Sequence, residues 1–194
     1  MHLFSKLCLI AALLAGSLNL YCQERYHSSD PDLLARLSLD NSGALQTGGT
    51  LHICITVLKD GSYQMVRRLA APGPMQRLEG TLSHEQLQQL QKLVGSSDLR
   101  SVSGNHGGLI RQSAETFAAE IPILGKQVGD DTLHIQWLNA DGKSPFPPPV
   151  SKVAGWLSTF EPGNAKPSAD LEFQDVCPSV GLHFLQPSVA SNLP

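Results

Sequence analysis

The stretch that decides the fold runs from Thr50 to Leu69 and reads TLHICITVLKDGSYQMVRRL. Over Thr50 to Leu58, the residues Leu51, Ile53, Ile55 and Val57 alternate with His52, Cys54 and Thr56. This period of two puts one set on each face of a strand. Lys59-Asp60-Gly61 then makes a hairpin turn in which Gly supplies the positive φ. Ser62 to Leu69 returns as the partner strand, with Tyr63, Met65 and Arg67 on a shared face.

Downstream, Pro72 and Pro74 break the chain before a third extended segment from Arg77 to Leu82. Ser83-His84-Glu85-Gln86 is a capping box. Leu87, Leu90, Leu93 and Val94 follow at helical spacing, with Gln88, Gln89, Gln91 and Lys92 on the wet side, so an amphipathic helix runs to Gly95. Ser96 to Gly108 reads as a loop. Thr116 to Leu124 and Thr132 to Leu138 form a second extended pair, and Asn139-Ala140-Asp141-Gly142 is again a turn. The proline cluster from Pro145 to Pro149 leads into a second helix whose apolar face is Val150, Val153, Leu157 and Phe160, flanked by Trp156. Trp137 and Trp156 are expected to pack the sheet against this helix. Upstream, Ser29-Asp30-Pro31-Asp32 offers a helix cap with Leu33, Leu34 and Leu37 on one face, and a strand running to Leu39 is the competing reading. The sum is an α+β fold, an antiparallel sheet of four to six strands with two helices packed on one face. The domain is expected over 50–160, after a lead-in segment at 23–49 and before a Pro/Ser-rich tail at 161–194 that holds a short strand at Leu171-Glu172-Phe173.

Residues 1–22 read as a secretory signal peptide: Lys6 is followed by an apolar run from Leu7 to Leu14 and by the small residues Ala15, Gly16 and Ser17. Cleavage after Ser17 and after Cys22 both remain open. Gly16, Ser17 and Asn19 break the run that a membrane anchor would need. The expected location is therefore secreted or periplasmic, in the cell envelope, with no membrane contact once the leader is cut. About 170 residues would then remain, the size of one ordinary domain. Hydrophobic residues at 41% against 16% charged suffice for a packed core. Lys+Arg at 14 against Asp+Glu at 17 gives a net charge of -3, which leaves no basic field for nucleic acid. Cys8 lies in the leader and Cys22 beside the cut, so Cys54 and Cys177 are the dependable mature pair. Export permits a disulfide between them, and closing a loop that long contributes up to about 4.7 kcal/mol by chain entropy. Two free buried thiols are the alternative.

The strand, Asp60-Gly61 turn and strand, followed by Gly80-Thr81-Leu82-Ser83-His84-Glu85 opening a helix with Leu87 and Leu90, resembles a family of small exported bacterial domains of unknown function. The resemblance covers about Leu39 to Leu99. That family often carries a Cys pair just before the first strand, whereas Gly43 to Gly49 holds none here. The resemblance implies export and brings no activity with it.

Chemistry in the sequence is sparse. His52 and Cys54 share a strand face, and His134 would join them as a zinc or copper set if the strands of the echo Thr50-Leu51-His52-Ile53 and Thr132-Leu133-His134-Ile135 were neighbours. The same echo suggests a duplicated strand-hairpin-helix unit. His84-Glu85 begins a zinc-protease helix motif, but Gln88 stands where the second ligand belongs. Gly104, Gly107 and Gly108 lie in a loop without the Lys and Ser/Thr of a phosphate loop. No G-x-S-x-G elbow is present, and His27, His106 and His183 have no partner at ligand spacing. No cofactor is expected. The reading is an exported, non-catalytic module that binds an unknown protein or small ligand. A secreted or periplasmic enzyme, hydrolytic or metal-dependent, with a site built from His52, His106 and His134 is the alternative.

Overall fold

In the computed structural model, residues 32–41, 50–70, 74–106, 115–123, 132–139, 145–171 and 176–178 are described. The leader, Cys8, Cys22, His27, Gly107, Gly108, the Asp141-Gly142 turn, Glu172-Phe173 and His183 lie outside them. The hairpin at the centre forms as its alternation demands. β2 (Thr50–Leu58) pairs antiparallel with β3 (Ser62–Leu69), and Gly61 turns the chain at φ +89° while its N–H donates to Leu58 O at 3.0 Å. β4 (Gln76–Thr81) continues the meander beside β3.

Leu33 and Leu34 do not start a helix; β1 (Leu33–Asn41) is a strand set between β2 and β6 (Glu115–Pro122). Its decisive signal is Ala35, Leu37 and Leu39, all buried, alternating with Arg36, Ser38 and Asp40. Leucines at 33, 34 and 37 satisfy a helical period too, and only pairing on both edges resolves the ambiguity. The sheet therefore begins inside the 23–49 segment that the sequence assigned to a lead-in.

β6 pairs antiparallel with β7 (Thr132–Asn139), as the second extended pair required. Two short strands widen the sheet: β5 (Gly104–His106), inside the expected 96–108 loop, and β8 (Lys166–Pro167), in the expected tail. The result is an eight-stranded sheet in the order β5-β7-β6-β1-β2-β3-β4-β8, larger than the four to six strands expected. β5 runs parallel to β7, so the sheet is mixed, not wholly antiparallel. Strands of two and three residues are too short for a period to show in sequence.

α1 (His84–Val94) carries the expected capping box: Ser83 Oγ accepts from Gln86 N–H at 3.2 Å and Gln86 Oε1 accepts from Ser83 N–H at 2.9 Å. A single turn, α2 (Ser97–Arg100), follows and buries Leu99. α3 (Pro148–Ser158) starts on the proline cluster, where missing N–H groups cost nothing. Leu90, Val94, Leu99, Val150, Val153, Trp156, Leu157 and Phe160 join Leu37, Ile53, Ile55, Met65, Phe117 and Ile135 in one core between the helices and one sheet face. Trp137 packs against that core, as expected. β7 leads on to α3 with no further strand among the described residues, and the turn that a duplicated strand-hairpin-helix unit would need lies outside them.

Candidate functional site

The sheet face turned away from the helices is where the polar residues gather. The register fixes how. Arg36 stands opposite Thr56 and Glu120, and Glu120 opposite His134; Ser38 stands opposite Cys54 and Ala118, and Ala118 opposite Gln136; Asp40 stands opposite His52 and Thr116. Three parallel rows result, and most of their polar members are buried: Ser38, His52, Thr56, Thr116, Glu120 and Gln136 are each no more than 9% exposed.

The middle row is covered by the end of the described chain. Cys54 and Cys177 are joined by a disulfide, with S–S 2.09 Å and Cα atoms 5.0 Å apart. Around it Val66, Leu171 and Val176 make a small second core on the outer face. Thr56 Oγ1 donates to Val176 O at 2.8 Å, which fixes the height of this segment above β2. The pair expected from cysteine arithmetic is thus brought together in disulfide geometry.

His52 sits beside the disulfide. Its Nδ1 lies 3.3 Å from Asp40 Oδ2 on β1, and its Nε2 lies 3.3 Å from Cys54 Sγ. His52, Cys54 and Cys177 present one donor atom each, all within 4.8 Å of one another and all buried. His134 does not belong to this group. β6 and β1 separate β7 from β2, so the echo strands are not neighbours and the set His52, Cys54 and His134 is not assembled. His134 is half exposed and faces Glu120 Oε1 at 3.8 Å, while Arg36 Nη1 approaches Glu120 Oε2 at 3.6 Å from the other side. A buried carboxylate held between two basic groups is an arrangement that offsets its own desolvation.

The other described histidines, His106 and His84, make local contacts. His106 stacks on Trp137 with ring centroids 4.4 Å apart, and its Nε2 lies 2.9 Å from Ser103 O and 3.1 Å from Val102 O. His84 lies 2.9 Å from Gln88 across one turn of exposed helix. His52, His106 and His134 therefore sit on three strands with three different sets of partners, not around one pocket.

On the helical side a groove of about 470 Å³ opens between α1 and α3, lined by Gln86, Gln89, Leu93, Lys152, Gly155, Trp156, Thr159, Phe160 and Glu161. A Cβ added at Gly155 would meet no atom within 4 Å outside its own helix turn, so the space directly above that residue is open. Gln86 Nε2 donates to Glu161 O at 3.3 Å across one end. Glu85, at the start of the same helix, has its carboxyl held below the ordinary range by its own backbone N–H and by the Ser83 hydroxyl.

The sequence did not point to Asp40, Arg36 and Glu120 as partners of these histidines. A signal was present, since Arg36, Ser38 and Asp40 occupy alternate positions, but the β1 register that pairs them with β2 and β6 is a tertiary fact. No protein-family model matches the chain, and no curated protein matches it.

Proposed function

We propose that this chain is an exported, disulfide-stapled module that binds a partner protein or small ligand and performs no catalysis. The observation that carries the reading is the groove between α1 and α3. Its volume of about 470 Å³ falls within the roughly 300–1,000 Å³ of small-ligand sites. Its lining offers an amide donor and acceptor from Gln89, one charge of each sign from Lys152 and Glu161, and aromatic rings from Trp156 and Phe160. That chemistry holds a ligand by hydrogen bonds and contact without attacking it. No helix among the described residues is long and apolar enough to cross a membrane. The disulfide and the signal-peptide order of residues 1–22 support an oxidising destination in the envelope or outside the cell. Kinship with the small exported bacterial domains that the stretch from about Leu39 to Leu99 resembles is part of the same proposal. The enzymatic alternative has less support, because it needs two of His52, His106 and His134 in one concave site.

The test starts from protein exported from a bacterial host with its own leader. A mass beginning at Leu18 or Gln23 is expected. The mature chain is then offered to defined peptide and glycan arrays beside Gly155→Arg, which fills the groove from an exposed helix position. Binding to an array member that Gly155→Arg removes at unchanged melting temperature is the expected result. Equal binding by both proteins, no binding at all, or turnover of ester, peptide or glycoside probes that His52→Ala abolishes would each overturn the reading.

A further inference from the structure

The outer-face cluster goes beyond the groove and carries a separate inference. In the disulfide form Cys54 and Cys177 have no thiolate to offer. Opening the bond creates two, in a setting already furnished with a third donor. We infer that the reduced chain binds one thiophilic d10 cation, zinc(II) or copper(I), through His52 Nε2, Cys54 Sγ and Cys177 Sγ.

Five observations support it. The three donor atoms already lie within 4.8 Å of one another. From Zn–S bonds of about 2.3 Å, tetrahedral ligands lie roughly 3.5 to 3.8 Å apart, so the 3.3 Å between His52 Nε2 and Cys54 Sγ needs only a small adjustment. Asp40 Oδ2 lies 3.3 Å from the opposite ring nitrogen, the carboxylate-histidine arrangement that holds a metal-ligating imidazole in orientation. The cysteines are 0% and 2% exposed, so two thiolates there would be buried negative charges, of which zinc(II) neutralises both and copper(I) one. His52 and Cys54 stand two residues apart on one rigid strand, and Thr56 tethers the segment that brings Cys177.

The chemistry balances with a small-molecule thiol as reductant. Two thiols deliver two electrons to the Cys54–Cys177 bond and leave as their own disulfide, and their two protons end on the protein sulfurs. Zinc(II) then displaces those two protons into solvent and leaves the site neutral, and copper(I) displaces the same two protons and leaves it with one net negative charge. In the reverse direction a small-molecule disulfide takes two electrons from the thiolates, restores the bond and expels the metal. The face would thereby alternate between a covalent staple and a metal staple according to the thiol poise of its surroundings.

The experiment uses the exported chain, either oxidised or reduced without air by a phosphine, offered zinc(II) in one arm and copper(I) in the other. One equivalent retained by the reduced chain and none by the oxidised chain is expected in at least one arm. His52→Ala and Cys177→Ser should each weaken retention roughly tenfold or more. Asp40→Asn, which alters a positioning residue, should weaken it about tenfold to a hundredfold while leaving the cobalt(II) ligand-field bands of the substituted site in place. Should His52→Ala fail to fold, sulfur-to-cobalt charge-transfer bands decide instead: they should be present in the reduced wild type and absent in Cys54→Ser. No metal in either arm, equal uptake by the oxidised chain, or unchanged uptake in the variants would overturn the inference.

Discussion

Asp60 accepts from the Ser62 hydroxyl at 2.7 Å and from the Ser62 backbone N–H at 2.8 Å, and these bonds, the hydroxyl first, hold its carboxyl below the ordinary range. The folded value lies below the unfolded one of about 3.9, so the stabilisation is complete above that pH and is lost as pH falls through the folded value. Asp60→Asn should therefore lose less stability between pH 7 and pH 3 than the wild type, read as the shift of the urea midpoint by circular dichroism. An equal shift in both proteins would show that the turn bonds do not persist in solution. Gly80 makes a steric demand of a different kind. A methyl group there would lie 2.8 Å from Tyr63 Oη and 3.0 Å from its Cζ. Tyr63 is 4% exposed and packs edge-on against Phe160 at 5.3 Å, so the ring has little room to yield. Gly80→Ala should cost about 1–3 kcal/mol. In a Tyr63→Phe background the cost should be smaller, since the closest contact is gone, and full additivity in the double-mutant cycle would refute the clash.

At the scale of the element, α1 offers the cleanest link from sequence to stability. The two reciprocal bonds of the capping box satisfy N–H groups that the first turn would otherwise leave to water. Ser83→Ala should cost about 1 kcal/mol, and Ser83→Asp should recover most of it, both measured as changes in unfolding free energy. If Ser83→Ala proves neutral, the packing of Leu90 and Val94 alone sets the helix start. What the sequence made legible divides along the same line. α1, the β2–β3 hairpin and the pairing of β6 with β7 were readable because each is specified by neighbours within about a dozen residues: a cap, a turn glycine or a run of alternation. β1 was ambiguous because Leu33, Leu34 and Leu37 fit two periods, and the choice rests on partners distant in the chain. α2, β5 and β8 were hidden because elements of two to four residues have no period. The candidate site followed the same rule. Cys54 with Cys177 was found by counting, His52 with Cys54 by alternation, while Asp40 needed the β1–β2 register and His134 was misplaced because strand order is not written in either strand.

At the scale of the molecule, the sheet has two faces closed by different means. The helices cover one with a large apolar core, whereas the outer face over β2 and β3 is covered by Leu171, Val176 and Cys177 around the disulfide. Among the described residues that covering is a cluster of a few apolar side chains, which would hold poorly by hydrophobic contact alone. The covalent bond changes the comparison, because it spans 123 residues of chain and on the chain-entropy view removes about 5 kcal/mol of freedom from the unfolded state. Cys54→Ala/Cys177→Ala should therefore lower unfolding free energy by about 2–5 kcal/mol. Two mechanisms predict different patterns for that loss. If the staple acts through the unfolded chain, amide exchange should accelerate across the whole sheet, including the core strands β6 and β7 far from Cys54. If it acts through local covering, acceleration should be confined to 176–178 and to amides near Thr56 and Val66, with β6 and β7 protected as before. The long span of the bond favours the first pattern, and exchange confined to the second set of amides would count against the entropic account. A global loss also sets a condition on the metal staple: zinc or copper bound to His52, Cys54 and Cys177 closes the same loop, so it should restore most of the protection that reduction removes, including protection in β6 and β7.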